Sequence, residues 1–214
     1  MSVTIEKNNN LEEVPFEYYL QQYHQADPEE IALRTGIPYD KALQSFTLTF
    51  LQRQYSVTWP EYHIHCIDQT EGYAPLEDMA KAQILAIRFL LEHVPHPFKG
   101  TFLSYRDIPS GEVYYRQFNG RCMQRLAFSF GTKPERYCRA LELLRAEKIA
   151  SSDHGYQFEI FPGYAVQFLL WEADEEFPPS TQILFADNVS AAFHSEDLVV
   201  MSEIAISAMK KVLG

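Results

Sequence analysis

YQFEIFPGYAVQFLLWEADEEFPPSTQILFAD, residues 156–187, decides the fold class. From Tyr156 to Phe161 apolar and polar residues alternate, which is the period of a half-buried strand. Pro162 and Gly163 supply a turn, and residues 164–171 run almost wholly apolar. The two segments read as a β-hairpin whose second strand is central and covered on both faces. TQILFAD, residues 181–187, reads as a third strand. Beyond it Ser195 is placed to cap a last helix, with Glu196 and Asp197 at its positive end and Lys210 and Lys211 at its negative end. Leu198, Met201, Ala205, Ala208 and Val212 form its apolar stripe.

Upstream the elements are grouped in the same way. Residues 15–25 and DPEEIALRTG (27–36) read as helices. The second has Asp27 as N-cap, Pro28 in its first turn and Gly36 at its exit. SFTLTFL and QYSVTWPEYHIHCI alternate and are rich in β-branched and aromatic residues, so residues 45–67 read as two or three antiparallel strands. A helix is expected from Pro75 to His93 with Leu76, Ala80, Ile84, Ile87 and Leu91 inward. A shorter one is expected over 120–130, and another opens at TKPE, where Thr132 and Glu135 make a capping box. Strands and helices are grouped rather than strictly alternating. The fold class is therefore α+β, with antiparallel sheets, packed helices and the C-terminal helix on the C-terminal sheet. No linker is visible, so the expectation is a single domain over 1–214, or two closely packed parts divided near residue 120.

The chain has 214 residues, 46% of them hydrophobic and 14% aromatic, enough for a packed core. A net charge of −11 leaves no surplus of Lys and Arg to neutralise phosphates, which argues against nucleic acid and against an anionic membrane surface. No apolar run approaches the ~20 residues of a bilayer span. Cys66, Cys122 and Cys138 are scattered without a CxxC pair, and MSVTIEKNNN has no apolar leader core; free thiols in a reduced cytoplasm are expected. There is no P-loop, GxGxxG, HExxH, GxSxG or EF-hand loop.

Four places carry chemistry-bearing residues. His63 and His65 share a strand face, a spacing that metal sites use and solvent-facing stripes also show; no third ligand accompanies them, so no metal is assigned. His93 favours a helix C-terminus, and His194 precedes the last helix. FLSYRDIPSGEVYYRQFNGR concentrates Arg106, Tyr114, Tyr115, Arg116 and Arg121, either an anion or ligand clamp or a hairpin turning at Pro109-Ser110-Gly111. Lastly, Glu172, Asp174, Glu175 and Glu176 lie between Trp171 and Pro178-Pro179. Trp171 is expected to be a buried anchor that holds them in place. The cluster is a hydrated turn, a docking or ligand site whose cation comes from the 106–121 arginines or a partner, or a catalytic acid pair or cation site.

QFLLWEADEEFPPSTQILFADNV and HSEDLVVMSEIAI carry a W-E-x-D-E-E-F-P-P block complete at Trp171, Glu172, Asp174, Glu175, Glu176, Phe177, Pro178 and Pro179. Together with DPEEIALRTGIPYD, PLEDMAKAQILAIRFLL and FLSYRDIPSGEVYYRQF, they make this chain resemble an uncharacterised family of anaerobic bacteria and archaea, domain-of-unknown-function family 3786. Some members of that family carry an extra cysteine-rich iron–sulfur domain, which three scattered cysteines cannot supply here. The sequence also departs from the family pattern at Ala191–His194. The resemblance implies a shared fold and shared surroundings but no reaction and no cofactor. It suggests an accessory or ligand-binding protein of anaerobic redox or corrinoid-linked one-carbon metabolism, acting on a partner protein or large cofactor. The alternative is an enzyme that uses the carboxylate cluster with the Arg/Tyr clamp.

Overall fold

The computed structural model describes residues 13–68 and 72–214. The Asn8–Asn10 run and the leader expectation lie outside the described residues. The fold is α+β with two antiparallel sheets, and the chain separates into two compact units, Met1–His96 and Pro97–Gly214.

In the first unit, β1 (Tyr39–Asp40), β2 (Ser45–Phe50), β3 (Arg53–Thr58) and β4 (Ile64–Cys66) form one sheet in chain order. Phe46, Leu48, Phe50, Tyr55 and Val57 bury their side chains completely. Helix α1 (Glu13–Gln25) is tied to β3 by the Tyr23 hydroxyl, which donates to the Thr58 carbonyl at 3.1 Å. Helix α2 (Pro28–Thr35) begins as its sequence requires, with the Asp27 carboxylate accepting from the Glu29 N–H at 2.8 Å.

The expected long helix from Pro75 is broken. Its first turn, α3 (Pro75–Asp78), stops at Met79, whose φ of −122° and ψ of 111° are extended, and α4 (Ala80–Glu92) starts afresh. The break resets the helical phase, so the buried face is Ala82, Leu85, Ala86, Phe89 and Leu90 with Ile87 beside it, while Ala80, Ile84 and Leu91 are only half-buried. His93 caps this helix from inside the protein. Burial, then the Arg34 charge, lowers its pKa to about 4, so its ring adds no positive charge to the helix end.

The second unit is a five-stranded antiparallel sheet in the order β5-β9-β8-β7-β6. Here β5 is Phe102–Ser104, β6 Glu147–Ile149, β7 His154–Phe161, β8 Tyr164–Trp171 and β9 Ser180–Ala186. The apolar strand β8 is central, as its composition demands. Pairing of Phe102–Ser104 with β9 draws the segment after residue 97 into this sheet. β5 and β6 are three residues long and lack an alternating signal.

Residues 111–118 form neither a hairpin nor a loop. After a 3₁₀ turn at Tyr105–Asp107 they fold as α5 (Gly111–Phe118), which runs through a π-helical segment (Asn119–Gln124) into α6 (Arg125–Phe130). Gly111 is required there, because any Cβ would collide with the Tyr105 carbonyl. Phe118 stacks on Tyr105 at 4.1 Å and both rings lean on Phe185 of β9, which holds α5 to the sheet.

Helix α7 (Pro134–Leu143) starts at Lys133 with no side-chain cap, so the capping box expected at Thr132 and Glu135 does not form. His194, not Ser195, is the N-cap of α8 (Ser195–Lys211), and its N–H donates to the Asp197 carboxylate at 2.9 Å. Leu198, Met201, Ala205 and Ala208 are buried as expected, but so are Val199, Ser202, Ile204, Ile206 and Met209: α8 is enclosed nearly all round.

Candidate functional site

The acidic stretch is the connection between β8 and β9. Pairing ends at Trp171 with Ser180, so residues 172–179 form a loop instead of extending the strand. Trp171 is half-buried and not the enclosed anchor expected of it. The loop is shaped from within: the Asp174 carboxylate accepts from the Glu176 and Phe177 N–H groups at 2.8 and 2.7 Å, an Asx turn. These bonds hold its carboxyl below the ordinary range. Gly131 fixes the far end of the loop, since a Cβ there would come within 2.9 Å of Pro179. Glu175 and Glu176 are exposed.

The cationic segment settles its charge elsewhere. The Arg106 guanidinium lies 3.9 Å over the Tyr115 ring and 3.6 Å from Glu112. Tyr114 and Arg116 are exposed on α5. Arg121 makes a forked pair with Glu203 at 3.0 Å through both contacts, and reaches Glu196 at 2.8 Å. Among the described residues no arginine of 106–121 forms an ion pair with Glu172, Asp174, Glu175 or Glu176.

One member of the acidic cluster does have a partner. Glu172 Oε1 lies 2.7 Å from His154 Nε2, and the other ring nitrogen, Nδ1, lies 3.3 Å from Cys138 Sγ. The Asp153 carboxylate accepts the Glu172 N–H at 3.0 Å and steadies the arrangement. The fold assembles it simply. His154 opens β7 opposite Leu170 of β8, and Glu172 lies two residues beyond Leu170. Tyr137 of α7 packs edge-on against Tyr156 of β7, 6.1 Å between ring centres, and thereby brings Cys138 to the strand. Sequence reasoning missed Cys138 and His154, which are separated by a helix end, a short strand and a turn. The one available signal was a half-polar strand start, Asp153-His154, facing a cysteine on an amphipathic helix.

The geometry has a definite chemical sense. A carboxylate can only accept from Nε2–H, so it stabilises the tautomer whose Nδ1 carries a lone pair facing the thiol. Proton transfer from Cys138 would leave a thiolate beside an imidazolium that Glu172 neutralises. Because Cys138 and Glu172 occupy opposite nitrogens of one ring, the three do not converge on a point. Among the described residues no three His, Cys, Asp or Glu side chains are grouped to hold a metal ion. His65 meets Glu77 at 3.1 Å, and His63 is exposed.

Cys66, Cys122 and Cys138 are free thiols. Cys122 is sealed in the core under α8, and burial, then the Glu203 charge, pushes its pKa up to about 12. Among the described residues no helix is long and apolar enough to cross a membrane.

The class is thus an α+β protein of two compact units, the second carrying a thiol–imidazole–carboxylate row. The family model described as Domain of unknown function (DUF3786) matches residues 27–208, and the chain belongs to that family. Comparisons with curated proteins and with solved structures give no match.

Proposed function

We propose that the chain works through Cys138 as a nucleophile, activated by His154 and oriented by Glu172, on an electrophilic carbon of a small molecule or large cofactor. In the step, the Cys138 proton passes to His154 Nδ1 as sulfur attacks. The S–C bond forms, and the leaving group departs with the proton from the imidazolium. The single observation supporting this is the placement of His154 between Cys138 Sγ and Glu172 Oε1. Of the acidic cluster the reading keeps Glu172 alone. Arg106, satisfied in the 3₁₀ turn before α5, and Tyr114, solvated on α5, take no part in it. The setting, a cytoplasmic accessory protein or enzyme of anaerobic redox or corrinoid-linked one-carbon metabolism, rests on the family resemblance of the W-E-x-D-E-E-F-P-P block. A reduced compartment would keep Cys138 available as a thiol.

The test is iodoacetamide labelling at neutral pH, resolved by peptide mass. Cys138 should label fastest and Cys122 slowest, and His154→Ala should slow Cys138 by roughly tenfold while leaving Cys66 unchanged. A Cys138 rate equal to that of Cys66, or insensitive to His154, overturns the reading.

A further inference from the structure

The loop between β8 and β9 holds an aromatic ring in water. Phe177 is 65% exposed, yet its backbone is tied on both sides. Its N–H donates to the Asp174 carboxylate at 2.7 Å, and its carbonyl accepts the Asp174 N–H at 3.0 Å. Pro178 follows and restricts the exit of the loop. A second ring stands on α6. Leu126 and Phe130, two residues to either side, are buried, whereas Phe128 is 93% exposed.

The two rings flank one contact within the second unit. Gly131 continues α6 with φ −57° and ψ −31°, and its N–H donates to the Ala127 carbonyl at 2.7 Å. Phe128 and Gly131 are three apart on that helix and therefore share a face, with about 5–6 Å between their Cβ positions. Pro179 rests against the same face, since a Cβ on Gly131 would come within 2.9 Å of Pro179 Cγ. Phe177 is two residues before Pro179, a chain reach of at most about 7 Å. The Thr181 hydroxyl donates to the Met123 carbonyl at 2.9 Å and fastens the start of β9 to the segment that precedes α6.

A single exposed ring is ordinary, but two beside one packed contact make an apolar patch. Aromatic anchors dominate protein interfaces, and a ring whose backbone is already held costs little further order on binding. The charge around the patch selects the partner. Glu175 and Glu176 are exposed on either side of the turn that presents Phe177, and among the described residues neither makes an ion pair. Lys133, exposed two residues past Gly131, brings one positive charge against the four carboxylates of the loop. A second copy related by a two-fold axis would set acidic loop against acidic loop. An anionic bilayer would be repelled in the same way.

We infer that Phe128 and Phe177 are the anchors of a docking surface for a basic protein, one that offers an apolar pocket rimmed by Lys or Arg. Glu175 and Glu176 meet that rim. The inference neither uses nor needs Cys138.

The probe is a fluorescein-labelled amphipathic peptide of leucine and lysine, with leucines at helical spacing so that an apolar face is flanked by cations. A control peptide has serine at every leucine position and the same charge. Fluorescence anisotropy at moderate salt should show the leucine peptide bound by the full chain and the serine peptide bound much more weakly. Phe128→Ser with Phe177→Ser should weaken the leucine peptide by roughly tenfold or more. Glu175→Gln with Glu176→Gln should weaken it several-fold and flatten its salt dependence. Val113→Ser, an exposed apolar residue on α5, should change nothing. The substituted positions are all exposed, so urea unfolding of each variant should match the parent chain. Equal binding of the two peptides, no binding of the leucine peptide, or binding that ignores the two phenylalanines overturns the inference. A parent chain that sediments as a dimer and becomes a monomer in the Phe128→Ser, Phe177→Ser variant assigns the patch to a second copy and overturns it too.

Discussion

At the end of α4, His93 lies flat on Phe89, 4.2 Å between ring centres and 10° between planes, with 3% of its surface exposed. At the seam of α7 and β7, His154 is partly open and meets a thiol with one nitrogen and a carboxylate with the other. The first ring is surrounded by aromatic carbon and by Arg34, whose guanidinium donates to the Leu90 and His93 carbonyls at 2.9 and 2.6 Å. Burial and the Arg34 charge both oppose an imidazolium there, and the ring is held neutral. The second ring has an anion ready to receive the charge it would gain on taking a proton. The same side chain is packing material in one region and, in the function proposed above, a proton carrier in the other, and the difference lies in the neighbours.

The largest effect should come from acid acting on His93. Its folded pKa is lowered from 6.5 to about 4, so the unfolded chain binds the proton first. Stability is full above about 6.5 and is lost as pH falls toward 4, by at most about 3 kcal/mol. Urea unfolding at stepped pH measures it, and His93→Phe should flatten that part of the profile. A profile unchanged by the substitution would break the contrast between the two histidines.

Next in size is Arg34→Met, which leaves two helix-end carbonyls without their donor and should cost about 2 kcal/mol at neutral pH. It also removes the second cause of the His93 shift, so the acid loss should become smaller, which the same titration reads.

At the other histidine the signature should be reversed. Glu172→Gln, at a half-exposed pair, should change the unfolding free energy by less than about 1 kcal/mol. The labelling rate of Cys138 should nevertheless fall, because an amide can donate to the ring and no longer selects the tautomer. If stability fell while labelling held, His154 would be packing material as well.

The smallest effect is expected at Arg106. Its contacts are an exposed ion pair at 3.6 Å and a tyrosine face, and Arg106→Gln should shift stability by no more than about 0.5 kcal/mol and leave Cys138 labelling unchanged. A slower Cys138 would restore the Arg/Tyr segment to the site.

Much of the architecture was legible in the chain. Alternation from Tyr156 and the apolar run to Trp171 determined the central hairpin, Asp27 and Gly36 determined the limits of α2, and the composition determined a packed acidic protein. These are local properties: each depends on a period of two or 3.6, or on one capping group, within a dozen residues. The break at Met79, the helical rather than turned course of residues 111–118, and the short strands β5 and β6 left no such trace, because partners far along the chain decide them. The acidic stretch shows the division most plainly. Its four carboxylates were visible at once, but that Asp174 would close a turn and that Glu172 would meet His154 was not. Cys138 and Glu172 are 34 positions apart and meet opposite nitrogens of one ring. Which charges meet is determined by strand register and by the seating of α7 on β7, and the tertiary structure alone supplies both.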